Sequence, residues 1–288
     1  MKNNDHIDLV KSYFDDNAQS WHDYYHSGDS LTDILLVNRK EIAVGFVCEY
    51  VQPGSKILDA GCGAGVISLE LVKKGFTLHG WDISPEMLER CEQNFSQEKL
   101  VLSATEVIPS SKYSFSLGDV LEANLPDGSF DGILALGFLQ YQKDEVKALK
   151  QFHRLLKPGG TLVLSGPVKA KISNYFGLLD ILRAQKRKLA RRSGSKTQNN
   201  ISLLHQISVH GYSYSRFRQL LKAANFEFVD YRGHGYAHFE VIDRRLGFKG
   251  RLFLHNTFTR LSRILPIRRF ANDMVVVAKK IEDQYLRS

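Results

Sequence analysis

Residues 58–65 read Leu-Asp-Ala-Gly-Cys-Gly-Ala-Gly, with three glycines in five positions directly after a short apolar run. That spacing ends any regular structure before it. Glycine takes the left-handed backbone conformations other residues resist, and it admits a ligand close to the main chain. Upstream, Lys56-Ile57-Leu58-Asp59-Ala60 follows the turn pair Pro53-Gly54 and reads as a strand. Downstream, Val66 to Lys74 reads as a helix stopped by Gly75. Strand, glycine loop and helix in this order open a sheet of parallel strands joined by crossover helices.

The alternation continues. Thr77–Asp82 reads as a second strand, followed by a helix with Ser84 as N-cap and Pro85 in its first position. Tyr113–Leu117 and Phe130–Leu136 read as the third and fourth strands. A helix over 144–156 leads through Lys157-Pro158-Gly159-Gly160 into a fifth strand, Thr161–Ser165. A helix over 215–224, a strand Phe226–Tyr231 and a last strand Val275–Ala278 complete the count. The expected fold is α/β: a doubly wound, Rossmann-like, seven-stranded and mostly parallel sheet with helices on both faces. Residues 1–52 are expected to form an N-terminal helical cover, and 53–280 the main domain. Insertions at 168–212 and 232–271 are expected to act as lids, since segments this long in a compact domain are usually functional, and 281–288 form a tail.

Composition narrows the class. The 288 residues are 43% hydrophobic and 24% charged, the balance of a globular chain rather than a disordered, collagenous or disulfide-framed one. No apolar run reaches the roughly 18 residues of a membrane span, and no apolar stretch follows the polar start to suggest a secretory signal. Cys48, Cys62 and Cys91 are odd in number and lack metal-ligand spacing, which points to a reducing cytoplasm and no structural zinc. The net charge of +8 is concentrated: seven Lys/Arg within 181–200 and eight within 244–271, with no acid in either, leave 24 basic against 31 acidic residues elsewhere. A body with a net charge of −7 does not suit a nucleic-acid partner.

The loop also selects its ligand. A dinucleotide fingerprint needs its third glycine at position 66, where Val66 stands. Asp59, two residues before the first glycine, would repel a pyrophosphate and suits a ligand carrying an ammonium. Asp82, at the end of the second strand and 21 residues after Gly61, has the spacing of an acid that hydrogen-bonds ribose hydroxyls.

On these residues the sequence resembles the class I S-adenosyl-L-methionine-dependent methyltransferases. The likeness covers 54–166 well, and 212–231 and 272–280 more loosely. "LDAGCGAG" (58–65) resembles their first motif and "WDISPEML" (81–88) their second-strand region. "GDVLEANLPDGSFD" (118–131) resembles their adenine-binding turn, and "LLKPGG" (155–160) the lead into their fifth strand. The resemblance implies that Asp59, Ala60 and the loop Gly61, Cys62, Gly63 and Gly65 face the methionine part of the cofactor. It implies that Asp82 binds the ribose, with Ile83 and Met87 beside the adenine. Asp119, with Gly118 and Val120, would accept the adenine amino group, and Leu136 and Gly137 would lie under the sulfonium. The product cofactor would be S-adenosyl-L-homocysteine.

What is methylated is less constrained. Ala135-Leu136-Gly137-Phe138 lacks the Asn/Asp-Pro-Pro-Tyr box of nitrogen methylators and the acidic ligand of metal-dependent enzymes, so no metal is expected. "VKSYFDDNAQSWHDYY" (10–25) resembles the start of O-methyltransferases of quinone and tetrapyrrole precursors, which implies a small, hydrophobic or acyl-like acceptor and O-methylation. Carbon or nitrogen methylation, and a cofactor-binding regulatory protein without catalysis, stay open.

In that family the leading helix closes over the cofactor. Tyr13 and Trp21, eight apart, fall on one helical face. Tyr25 is a partner for the cofactor carboxylate or the acceptor, and Arg39 for the carboxylate. Packing of the helix onto the sheet is the alternative for the aromatics. Gln140 and Tyr141 are candidates to orient the acceptor, and His210 and His234, beside the two insertions, are candidate bases. The basic amphipathic stretch 244–271 suits either a lid or the anionic surface of the inner membrane face.

Overall fold

A computed structural model describes residues 3–25, 31–101, 110–168, 210–235 and 273–282, with isolated positions between 250 and 271. Both expected insertions, 168–212 and 232–271, fall largely outside the described residues.

Seven strands form one sheet: β1 (Lys56–Ala60), β2 (Thr77–Asp82), β3 (Tyr113–Leu117), β4 (Phe130–Ala135), β5 (Leu156–Pro167), β6 (Phe226–His234) and β7 (Asp273–Lys280). Their order is β3-β2-β1-β4-β5-β7-β6, parallel except for β7, which is antiparallel to both of its neighbours. The order reverses between β1 and β4, and at such a switch point the loops after the two strands diverge and leave a crevice. The glycine loop opens there.

Helices α1 (Asn3–Asp23), α2 (Leu31–Tyr50), α3 (Val66–Lys73), α4 (Pro85–Val101), α5 (Glu145–Leu155) and α6 (Tyr214–Ala223) surround the sheet. One face buries Leu149, Phe152, Leu155, Phe217 and Leu221 from α5 and α6 against β4, β5 and β7. The other buries Phe46 and Val47 of α2, Leu71 of α3 and Phe95 of α4. The helix starts follow local chemistry: Asp144 accepts from the Lys147 amide at 2.9 Å, and Ser213 from the Arg216 amide at 3.1 Å. The expected cover is two helices, and α1 is tied to the start of α4 where Ser84 Oγ donates to Asp15 Oδ1 at 2.5 Å.

Two expectations change. The fifth strand begins at Leu156 rather than Thr161, because Leu156 pairs with Phe130 and the Lys157–Gly160 turn is absorbed as a bulge at the Phe130/Gly132 register shift. The sixth strand continues past Tyr231 to His234, because Arg232, Gly233 and His234 pair with Val275, Met274 and Asp273. The second insertion therefore leaves the sheet later than 232.

Candidate active site

The glycine loop is built from its own backbone needs. Gly61, Gly63 and Gly65 have φ of +76°, +54° and +73°. At Gly65 a Cβ would lie 2.2 Å from Cys91 Sγ, so α4 packs directly on the loop. At Gly63 the nearest atom to such a Cβ is Met87 Sδ at 3.9 Å, so space lies open above that turn. The amides of Gly61 and Cys62 donate to the carbonyl of Trp81, at 2.7 and 3.2 Å, which fastens the loop to the end of β2.

Two buried carboxylates frame the loop. Asp82 accepts the Gly63 amide on Oδ2 at 2.7 Å and the Ser84 amide on Oδ1 at 2.9 Å. Burial pushes its carboxyl above the ordinary value while the amides pull it down. An ionised carboxylate offers roughly four lone-pair sites, and with the Ile83 amide also lowering its pKa Asp82 keeps capacity for a ribose hydroxyl. Asp59 is 4% exposed, and its Oδ2 accepts from Ser68 Oγ at 2.6 Å. Burial raises its pKa to about 7, against the opposing pull of the Ser68 hydroxyl.

The loop lines a cavity of about 220 Å³ along the ends of the strands. Gly118, Asp119 and Val120 line it, as do Ile83 and Met87. Asp119 caps the short turn Val120–Glu122 by accepting the Leu121 amide at 2.9 Å, which fixes its carboxylate at the rim. Asp59, Asp82, Gly61, Cys62, Gly63 and Gly65 line the cavity as well. So do Leu136, Gly137, Gln140 and Tyr141, together with Trp21, Tyr25 and Arg39 from the cover. The Arg39 guanidinium donates to the Tyr25 hydroxyl at 2.8 Å, and its Nη1 would lie 3.2 Å from a Cβ on Gly137.

Four expected residues stand elsewhere. Ala60 is fully buried in β1 and contributes no wall. Tyr13 turns away from the cavity to pack beside Phe14 and Tyr141, where burial lifts its phenol to about 12. Phe14 takes the place expected of it and lies 5.9 Å, ring to ring, from Trp21. The two base candidates do not reach the cavity lining. His210 meets the site region through its backbone amide, which donates to the Gln140 carbonyl at 3.0 Å. His234 is 1% exposed within β6, with Nε2 3.8 Å from Asp273 Oδ1.

Sequence reasoning missed His6, Ile7, Val10, Phe14, Trp81 and Phe138, all of which line the cavity. The spacing of 7, 10, 14 and 21 on α1 is helical and was available as a signal; the docking of His6 across 135 residues was not. Among the described residues no group of three or more His, Cys, Asp or Glu is arranged to hold a metal.

The residues fit S-adenosyl-L-methionine. Gly63 leaves open space above the loop, Asp82 keeps acceptor capacity, and two buried donors, Trp81 Nε1 and Arg39 Nε, have no hydrogen-bond partner among the described residues. Residues 58–164 match the family model described as a methyltransferase domain. Over 183 residues, 61% of this chain and 69% of the relative, the sequence is 27% identical to a putative methyltransferase, YqeM, of Bacillus subtilis. Over 167 residues, 57% of this chain and 64% of the relative, it is 27% identical to the ubiquinone biosynthesis O-methyltransferase of Pseudomonas aeruginosa. The fold is similar to magnesium protoporphyrin IX methyltransferase from Synechocystis, solved with S-adenosylhomocysteine. That likeness has a TM-score of 0.59 at 17% identity and covers 94% of this chain and 98% of that one. The chain spans about half to two thirds of the length of the curated relatives it matches. Sheet order, glycine loop and the family match over 58–164 define a class I S-adenosyl-L-methionine-dependent methyltransferase domain.

Proposed function

We propose that the whole chain transfers the methyl group of S-adenosyl-L-methionine to a hydroxyl of a small, hydrophobic acceptor. The observation that carries this reading is the apolar part of the cavity lining. Ile7, Val10, Phe14, Trp21, Leu136 and Phe138 line it, with Gln140 and Tyr141 among the polar lining residues. An apolar pocket with a few placed polar groups selects a flat or greasy molecule and fixes its orientation. The ubiquinone O-methyltransferase relative supports oxygen as the accepting atom.

The bound cofactor supplies an electrophilic methyl group on a sulfonium. The chain's task is alignment and exclusion of water. Asp82 and Asp119 hold the ribose and adenine, and Arg39, steadied by Tyr25, holds the carboxylate. Gln140 and Tyr141 orient the acceptor. Burial keeps the Tyr141 phenol above its ordinary value, so it serves as a donor. The α1 wall of Ile7, Val10 and Phe14 keeps water from the site of transfer.

Incubation with methyl-tritiated cofactor and a solvent extract of the producing cells tests this reading. Label passing into an extractable product with a mass gain of 14, and removed by ether- or ester-cleaving reagents, supports it. Label on nitrogen or carbon contradicts the oxygen assignment, and binding without transfer contradicts catalysis. We further propose that the basic stretch 244–271, almost wholly outside the described residues, closes over the acceptor. Co-sedimentation with anionic vesicles at low salt would assign it instead to a membrane surface.

A further inference from the structure

His6 stands near the start of α1, 5% exposed, and is one of the residues lining the cavity. Its Nε2 lies 2.8 Å from the carbonyl oxygen of Tyr141, a lining residue 135 positions away that is proposed above to orient the acceptor. A carbonyl oxygen only accepts, so Nε2 carries the hydrogen and donates. In the neutral ring this leaves the lone pair on Nδ1. The contact thus sets the tautomer as well as pinning α1 over the site.

The other candidates along the same walls are committed. Asp59 accepts from Ser68, Asp82 from the amides of Gly63 and Ser84, and Asp119 from the amide of Leu121. Asp144 caps α5 through the Lys147 amide, and Glu122 accepts from Lys147 Nζ at 3.0 Å. The Tyr141 phenol is raised by burial and stays protonated. Among the described residues lining the cavity, His6 is the single imidazole.

We infer that His6 Nδ1 is the catalytic base that takes the acceptor's hydroxyl proton, an inference that rests on the methyl-transfer reading above. As the acceptor oxygen bonds to the methyl carbon, the carbon–sulfur bond breaks with its electron pair going to sulfur. The hydroxyl proton passes to His6 Nδ1, and the imidazolium returns it to water after product leaves. Nothing beyond cofactor and acceptor is consumed. The assignment moves the base from the insertions, where His210 and His234 were expected to supply it, to the cover helix.

The test pairs two variants with two readouts. Glutamine at this position retains an amide N–H for the Tyr141 carbonyl and has no basic nitrogen; alanine lacks both. With tritiated cofactor and the same solvent extract, His6→Gln transfers methyl about 100-fold more slowly than wild type at saturating cofactor, and His6→Ala is at least as slow. Both bind S-adenosyl-L-homocysteine by calorimetry with wild-type affinity. The nitrogen-15 spectrum of the wild-type protein shows the His6 ring protonated at Nε2 and bare at Nδ1. A wild-type rate in His6→Gln, or slowing confined to His6→Ala, makes the residue a latch only and overturns the assignment, as does a proton on Nδ1. Failure of the wild type itself to transfer label sinks the methyl-transfer reading and the assignment together, a result distinct from either of those.

Discussion

The lining of the cavity is made in two ways. The part proposed to hold the cofactor comes chiefly from strand ends and the turns after them: Asp59 near the end of β1, Asp82 at the end of β2, Asp119 just after β3. Their carboxylates are held by amides and hydroxyls between two and nineteen residues away. The part proposed to take the acceptor comes from α1, from the turn Leu139–Tyr141 and from α2, joined by contacts such as His6 to Tyr141 and Arg39 to Tyr25. The first part is rigid because the sheet fixes it and backbone groups do the holding. The second is assembled from side chains on a cover, the arrangement through which one cofactor domain accommodates different acceptors.

The largest expected effect breaks the rigid part. Gly65→Val places a side chain where Cys91 Sγ already sits, at a backbone angle unsuited to a branched residue. Overpacking and the positive φ together cost about 2–5 kcal/mol. Thermal melting is expected to show a strongly destabilised fold and calorimetry no cofactor binding. Gly63→Val separates the two consequences. It shares the strain of a positive φ but meets open space rather than a core sulfur, so binding is expected to vanish with a smaller loss of stability.

Asp82→Ala is the next step down. A ribose hydroxyl loses a charged acceptor, and cofactor affinity is expected to fall by about 1–3 kcal/mol. The Gly63 and Ser84 amides also lose their partner, so some loosening of the loop adds to the loss.

A smaller effect sharpens the comparison through pH. Asp59 has a folded pKa of about 7 against an ordinary 3.8, so the folded state holds the extra proton. That contribution to stability is fully present below about pH 4 and is lost as pH rises to about 7. Asp59→Asn is expected to flatten this part of the stability profile. In the wild type, an ammonium-bearing cofactor favours the ionised form, so its affinity is expected to climb over the same window. A pH-independent affinity would separate Asp59 from the methionine end.

The same contrast explains what was legible in the sequence. The cofactor part depends on local signals: a strand, three glycines and an acid at a strand end can be read without knowing what packs on them. Asp59 and Asp82, read from their spacing, and Asp119, implied by the resemblance, all line the cavity. The acceptor part depends on which face of α1 meets a turn more than a hundred residues away. Tyr13 and Trp21 share a helical stripe by spacing, yet the docked helix presents Phe14 with Trp21 and turns Tyr13 to Tyr141. His234 was placed in an insertion because nothing local extends the strand Phe226–Tyr231. Its position is set by pairing with Asp273, a partner 39 residues on, and that pairing buries it.

The claim that the strand-end carboxylates and the glycine loop hold S-adenosyl-L-methionine is tested most directly by calorimetric titration of the wild-type protein with S-adenosyl-L-homocysteine, beside the same titration with a nicotinamide dinucleotide. One molecule of the homocysteine cofactor bound per chain, weakened in Asp82→Ala and absent in Gly63→Val, with no heat from the dinucleotide, is the result expected. Saturable dinucleotide binding with no response to S-adenosyl-L-homocysteine would contradict the account.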